Sequence, residues 1–212
     1  MERYDSIVIG AGHNGLVCAA YLAKAGQRVL VVEAAPGPGG LIAERAVGDG
    51  FRASVAHTVS HFPASIASDL GLTGQHSPFG TAKLSTIGLG VDGEHVTIRE
   101  DGVSGVPAAD ADAWRDFTAR MGRFAEALAP FWLETMPPIG SKGLGDIMTF
   151  ARLGFRLRRL GKDDLHEFLR IATLPVRDLM DETFADDRLK AALGWDGLIG
   201  SKFAPRSPNG AV

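Results

Sequence analysis

Cysteine is nearly absent: Cys18 is the only one in 212 residues. Dithiol redox chemistry is therefore excluded, and such sparing use fits a reducing compartment. On the first helix, Cys18 is expected to pack as a small apolar residue. No apolar run approaches the ~20 residues needed to span a bilayer. The start, Met1-Glu2-Arg3-Tyr4-Asp5, has neither the basic region nor the apolar core of a secretory signal. These absences predict a cytoplasmic protein, or one peripheral to a membrane. Positive charge is not in excess either. The formal net charge of −3 gives no electrostatic case for nucleic acid. Internal repeats and low-complexity tracts are missing. Apolar content of 45% and charged content of 22% are ordinary for a globular chain, long enough for one core or about one and a half domains.

What is present is concentrated near the start. Ser6-Ile7-Val8-Ile9 runs into Gly10-Ala11-Gly12-His13-Asn14-Gly15. A helix rich in small residues follows (Ala19, Ala20, Ala23) and ends at Gly26. Next come Arg28-Val29-Leu30-Val31-Val32 and then Glu33. Strand, glycine turn, helix, strand and acid stand in the order of a dinucleotide-binding βαβ unit. Gly10 would permit the tight turn, Gly12 would let backbone approach a diphosphate, and Gly15 would let the helix lie close to the sheet. The diphosphate would sit where the first helical amides lack internal partners. The amides of His13 and Asn14 face that position, while their side chains shape the turn. The β-branched strands are expected to be buried on both faces.

Glu33 follows Gly15 at close to the ~20-residue interval of a ribose-binding acid. It would repel a 2′-phosphate, and Ala34, Ala35 and Pro36 offer no cation to neutralise one. NADP is thereby disfavoured, and NAD and FAD remain. The pair Gly39-Gly40 could bring backbone to the same diphosphate from its other side, or could be an ordinary turn. Taken alone it does not separate FAD from NAD.

Residues 4–40 resemble the N-terminus of the FAD-dependent amine oxidase and phytoene desaturase superfamily. More narrowly, the chain resembles the phytoene desaturase-like group that includes the pyridine nucleotide-disulfide oxidoreductase domain-containing proteins. The resemblance is carried by Gly10-Ala11-Gly12-His13-Asn14-Gly15-Leu16-Val17-Cys18-Ala19-Ala20-Tyr21-Leu22, by Ile66-Ala67-Ser68-Asp69-Leu70-Gly71-Leu72, by residues 184–193, and by Pro205-Arg206-Ser207-Pro208. It implies FAD as cofactor, held by Gly10, Ala11, Gly12, His13, Asn14, Gly15, Glu33, Ala34, Gly39 and Gly40. It also implies removal of two hydrogens from an apolar substrate, with hydride passing to the flavin. The chain departs from many carotenoid desaturases at Ser54 and Ala56, where those carry Asp and Gly, and this argues against a carotenoid substrate.

The fold expected is α/β: a Rossmann-type FAD-binding βαβ unit with an incomplete doubly wound sheet, a β-hairpin and a mainly helical portion of a substrate domain. Only 6–9 and 29–32 read as buried parallel strands, where a dinucleotide fold usually has ~5–6. The chain is therefore expected not to close its own nucleotide sheet. It reads as the N-terminal portion of a larger flavoenzyme, completed by further polypeptide or by a C-terminal partner chain. Residues 1–62 would be the N-terminal part of the FAD-binding domain and 63–212 a partial substrate domain. The alternative of another class is a dinucleotide-binding or regulatory module without catalysis of its own.

Downstream, residues 49–62 read as a short strand and loop, and 64–72 as a short helix ending at Gly71. Residues 82–100 read as a hairpin turning at Val91-Asp92-Gly93-Glu94. Helical periodicity covers 109–136, with Asp110 or Asp112 as candidate cap, and resumes at 146–160, 163–172, 176–184 and 187–193. Trp114, Phe117, Phe124, Phe131 and Trp132 are core at that spacing more often than substrate tunnel. His57 and His61 could serve a proton transfer near a flavin, but no partner acid stands nearby, so they read as loop histidines. Their spacing lacks a third ligand for a metal. No catalytic residue is assigned. Arg152, Arg156 and Arg159 share one helical face opposite Phe150, Leu153, Leu157 and Leu160. Such a helix commonly packs on its own protein, and the other use is peripheral contact with an anionic membrane.

Overall fold

A computed structural model of the protein describes residues 2–54, 62–73, 84–198, 202–208 and 210. The chain divides into two compact units, 1–82 and 83–212. The expected division lay at 62/63.

The first unit begins with strand β1 (Ser6–Ile9), helix α1 (His13–Lys24) and strand β2 (Val29–Val32). β1 and β2 pair in parallel, Ser6 opposite Val29 and Ile9 opposite Val32. The helix crossing between them is what allows parallel pairing. A 3₁₀ turn (Gly40–Ile42) and an antiparallel hairpin, β3 (Arg45–Gly48) with β4 (Phe51–Ala53), follow. Helix α2 (Ala64–Asp69) stops at Leu70, and Gly71 beyond it has φ +69°. Tyr21 on α1 donates its hydroxyl to the Asp69 carboxylate at 2.8 Å, and Lys24 donates to the Asp69 carbonyl. These two bonds tie α2 to α1.

Burial in this unit departs from expectation. Among the described residues its buried apolar side chains are those of Ala11, Ala19 and Ala67, none of them large. Ile7 is 62% and Ile9 87% exposed. The parallel strands were expected to be buried on both faces. Among the described residues they form a two-stranded sheet with α1 against one face, and Ile7 and Ile9 stand exposed on the other. β-branched sequence reports that a strand is built for burial, not that the covering layer is at hand. Cys18 is likewise exposed rather than packed.

The second unit holds the core. Strands β5 (Thr86–Gly88), β6 (Val96–Arg99) and β7 (Gly102–Ser104) form an antiparallel sheet in that order. The hairpin at 91–94 is as expected, and β7 is a third strand beyond it. Helices α3 (Ala108–Leu128), α4 (Leu144–Arg158), α5 (Lys162–Ile171), α6 (Val176–Thr183) and α7 (Asp187–Leu198) follow. A 3₁₀ turn (Ala129–Phe131) ends the long α3. Among the described residues Val96, Ile171 and Leu189 are the largest fully buried side chains. Phe124 meets Phe168 edge-on with ring centroids 5.4 Å apart, and Phe117 meets Phe184 at 5.5 Å. Such edge contacts contribute about 0.5–1.5 kcal/mol each beyond area burial. Trp114, Phe124 and Phe131 are buried and Phe117 packs against the core, whereas Trp132 is exposed.

Asp110 does not cap its own helix; the N-cap of α3 is Pro107, without a side-chain bond. The Asp110 side chain is buried and accepts the amides of Ala185 (2.9 Å) and Asp186 (2.7 Å). Asp186 in turn accepts the amides of Arg188 and Leu189, capping α7.

Candidate functional site

The site is built where β1 turns into α1. Gly10 has φ +100°, a conformation that side chains disfavour, and this turns the chain sharply out of the strand. Its amide donates to the Val32 carbonyl at 2.7 Å, extending the β1–β2 pairing to the edge of the turn. A Cβ on Gly15 would stand 2.1 Å from the Gly10 carbonyl oxygen, so only glycine lets α1 start this close to the strand.

The first helical bond runs from the Leu16 amide to the Gly12 carbonyl at 2.9 Å. The amides of His13, Asn14 and Gly15 therefore have no carbonyl within the helix, and they lie at its positive end. A Cβ built on Gly12 would meet nothing within 4 Å, so the space beside these amides is open on that side. The side chains of His13 and Asn14 are exposed.

The second glycine pair lies against the first. The Gly39 amide donates to the Ala11 carbonyl at 2.8 Å, and Gly12 and Gly39 form an isolated parallel bridge. A Cβ on Gly40 would come within 3.2 Å of the Gly12 Cα. Two backbone segments thus converge at Gly12.

Glu33, at the end of β2, completes the group. One carboxylate oxygen accepts the Ala11 amide at 2.6 Å and the other accepts the Ala35 amide at 2.9 Å. The amides of Ala35 and Ala11, with a smaller contribution from Ala34, hold this carboxyl below the usual glutamate range. Each oxygen retains a lone pair, so the carboxylate can accept further hydroxyl donors. Ala34 is exposed beside it. Gly10, Ala11, Gly12, His13, Asn14, Gly15, Glu33, Ala34, Gly39 and Gly40 therefore come from three separate loops to one place. Sequence reasoning missed the Ala35 amide and the Gly39–Ala11 bond, since backbone donors leave no mark in residue type.

Residues 8–68 match the NAD(P)-binding Rossmann-like domain. The N-terminal unit has a Rossmann-like dinucleotide-binding fold. Around this Rossmann-like unit the whole chain has relatives. It is 28% identical to pyridine nucleotide-disulfide oxidoreductase domain-containing protein 2 of Rattus norvegicus, across 97% of this chain and 39% of that protein. It is 30% identical to a limonene dehydrogenase subunit of Castellaniella defragrans, across 74% of this chain and 30% of that protein. A solved putrescine oxidase, a variant with redesigned cofactor binding, superposes with a TM-score of 0.50 at 16% identity, covering 98% of this chain and 40% of that one. That likeness concerns the fold alone. The chain spans about two-fifths of the length of the pyridine nucleotide-disulfide oxidoreductase domain-containing proteins it matches.

Elsewhere, His57 and His61 lie outside the described residues. Among the described residues no cluster of His, Cys, Asp and Glu is placed to hold a metal ion. No described helix is long and apolar enough to cross a membrane.

Proposed function

We propose that this chain binds the ADP half of FAD and serves an oxidoreductase that removes hydride from an apolar substrate. The observation that carries this reading is the convergence of Gly39-Gly40 on Gly12 beside the free amides of α1. A diphosphate lying against Gly12 meets helix-terminal amides on one side and the second glycine loop on the other. The amides of His13, Asn14 and Gly15 orient the phosphates, and the remaining lone pairs of Glu33 accept the ribose hydroxyls. Gly10, Ala11, Ala34 and Gly39 shape the cradle. Its donor chemistry fits an anionic diphosphate, and the Glu33 carboxylate disfavours a 2′-phosphate. FAD supplies a hydride acceptor when bound; the protein holds it and excludes water.

The finer membership belongs to the same proposal: the phytoene desaturase-like group, with residues 1–62 as the N-terminal part of the FAD domain and 63–212 as part of a substrate domain. Exposed Ile7 and Ile9 support a working form in which more polypeptide, in the same chain or in a partner, covers the sheet. The same exposure favours a second reading, a dinucleotide-binding module that has no catalysis until a partner chain joins it.

The test is the mass of the ligand released on gentle denaturation of the purified chain, with its visible absorbance recorded beforehand. FAD in near-stoichiometric amount supports the proposal. NAD in its place, or a folded chain that takes up no added FAD, overturns it.

A further inference from the structure

We propose that α4 and the segment before it dock this protein on an anionic lipid bilayer. α4 carries two apolar faces. Leu157, with Leu160 just beyond the helix, packs against the core. At helical spacing Leu144, Ile147, Met148 and Phe155 share the opposite face, all are exposed, and no residue of α4 is buried. A helix that only packed on its own protein would turn polar residues to that second face.

Charge frames this outer stripe. By the same spacing Arg152, Arg156 and Arg159 flank it on one side, and Arg158 falls within it at the C-terminal end of the helix. Residues 142–162 hold six cations and one acid, Asp146, in a chain of net charge −3. Arg152 is paired with Glu134, whereas Arg156, Arg158 and Arg159 form no ion pair among the described residues. Beside Phe155, an open cleft of about 500 Å³ is lined by Arg156, Arg159, Arg123 and Glu126. Arg123 there is engaged by Asp164 at 2.6 Å, leaving Arg156 and Arg159 as its free cations.

The segment before α4 extends the apolar surface. Trp132, Leu133, Met136 and Ile139 are exposed, Ile139 at 99%. The Glu134–Arg152 pair seats this segment beside α4. An apolar stripe bordered by arginines that can reach up to phosphates matches a helix lying in the headgroup plane. The concentration of cations selects an anionic surface over a neutral one.

Sedimentation of the 212-residue chain with vesicles tests this. Vesicles of phosphatidylglycerol in phosphatidylcholine should carry the protein down, in a salt-sensitive way, and pure phosphatidylcholine vesicles should not. Replacing Arg156, Arg158 and Arg159 by Gln together should lower partition about a hundredfold, at ~5-fold per cation, with far-ultraviolet circular dichroism unchanged. Leu144→Ser with Met148→Ser should weaken binding and leave its salt dependence in place. A folded wild-type chain that stays in the supernatant with anionic vesicles overturns the proposal. So does a lipid-free dimer that Leu144→Ser with Met148→Ser disperses, since the surface would then belong to a second copy.

Discussion

The Glu33 carboxylate accepts the Ala11 amide at 2.6 Å, joining the end of β2 to the glycine turn that leaves β1. The same side chain accepts the Ala35 amide, so it holds its own loop as well. An acid expected only to meet a ribose therefore also braces the turn that would receive the diphosphate. Both tasks need the ionised form, and the surrounding amides favour it.

A pH dependence follows from that arrangement. The folded-state pKa of Glu33 is depressed by the Ala35 and Ala11 amides. The unfolded chain therefore takes up this proton at a higher pH than the folded chain does. The stabilisation is fully present above the ordinary glutamate value of ~4.3 and fades as pH falls through the depressed folded value. Urea titrations of wild type and Glu33→Gln should differ at neutral pH and converge in acid. Curves separated by the same amount at every pH would show that ionisation of Glu33 is not what braces the turn. Glu33→Ala should also weaken FAD binding by roughly 10- to 100-fold, as expected for lost charge-assisted hydrogen bonds.

Gly12 and Gly15 should separate binding from stability. Gly12 has φ −71°, which any residue adopts, and a Cβ there meets open space. Gly12→Val should leave the unfolding midpoint unchanged while abolishing cofactor retention. Gly15→Ala drives a methyl against the Gly10 carbonyl and should cost about 1–3 kcal/mol, the usual penalty of overpacking. Thermal unfolding beside released-ligand mass reads both effects. A Gly12→Val protein with full ligand content would move the diphosphate elsewhere.

The βαβ unit was legible because each boundary has a residue with a physical reason: Gly10 and Gly26 at positive φ, and β-branched runs at 6–9 and 29–32. The hairpin was legible through Asp92-Gly93, and the helices through their apolar spacing. Strand β3, Arg45–Gly48, was not legible, since all four residues are exposed and no alternation marks them. Burial of β1 and β2 was misread because composition reports a strand's preference, not the presence of its cover. Asp110 was misread because a helix-start acid most often caps locally. Its actual partners, Ala185 and Asp186, are far along the chain and are backbone amides, which no local pattern announces.

Asp110 should accordingly matter to the whole helical unit. It is 4% exposed and satisfies two amides at the start of α7. Asp110→Ala leaves both part-buried amides without this acceptor and should cost about 1–3 kcal/mol. Asp110→Asn keeps one acceptor oxygen but turns an amino group toward the other amide, so it should rescue only part of the loss. Urea midpoints of the two variants, at unchanged slope, check the order. Equal loss in both would mean that charge, not geometry, holds the junction.

Arg188 makes a different kind of junction. Its guanidinium donates to the Asp186 carboxylate at 2.7 Å, to the Gly105 carbonyl at 3.0 Å and to the Glu94 carbonyl at 3.1 Å. One planar fork thus ties the α7 cap to one end of the β6–β7 pair, where the residues before β6 and after β7 lie side by side. A lysine ammonium has the charge but lacks the fixed spread of donors, and it cannot span three acceptors from one position. Arg188→Lys should retain the pairing with Asp186 and release the two carbonyls. Amide exchange in β5–β7 should then quicken while α3 and α5, which do not depend on this contact, keep their protection. Uniform acceleration across all helices would indicate global destabilisation instead, and would assign Arg188 to the core's overall stability rather than to the sheet's attachment.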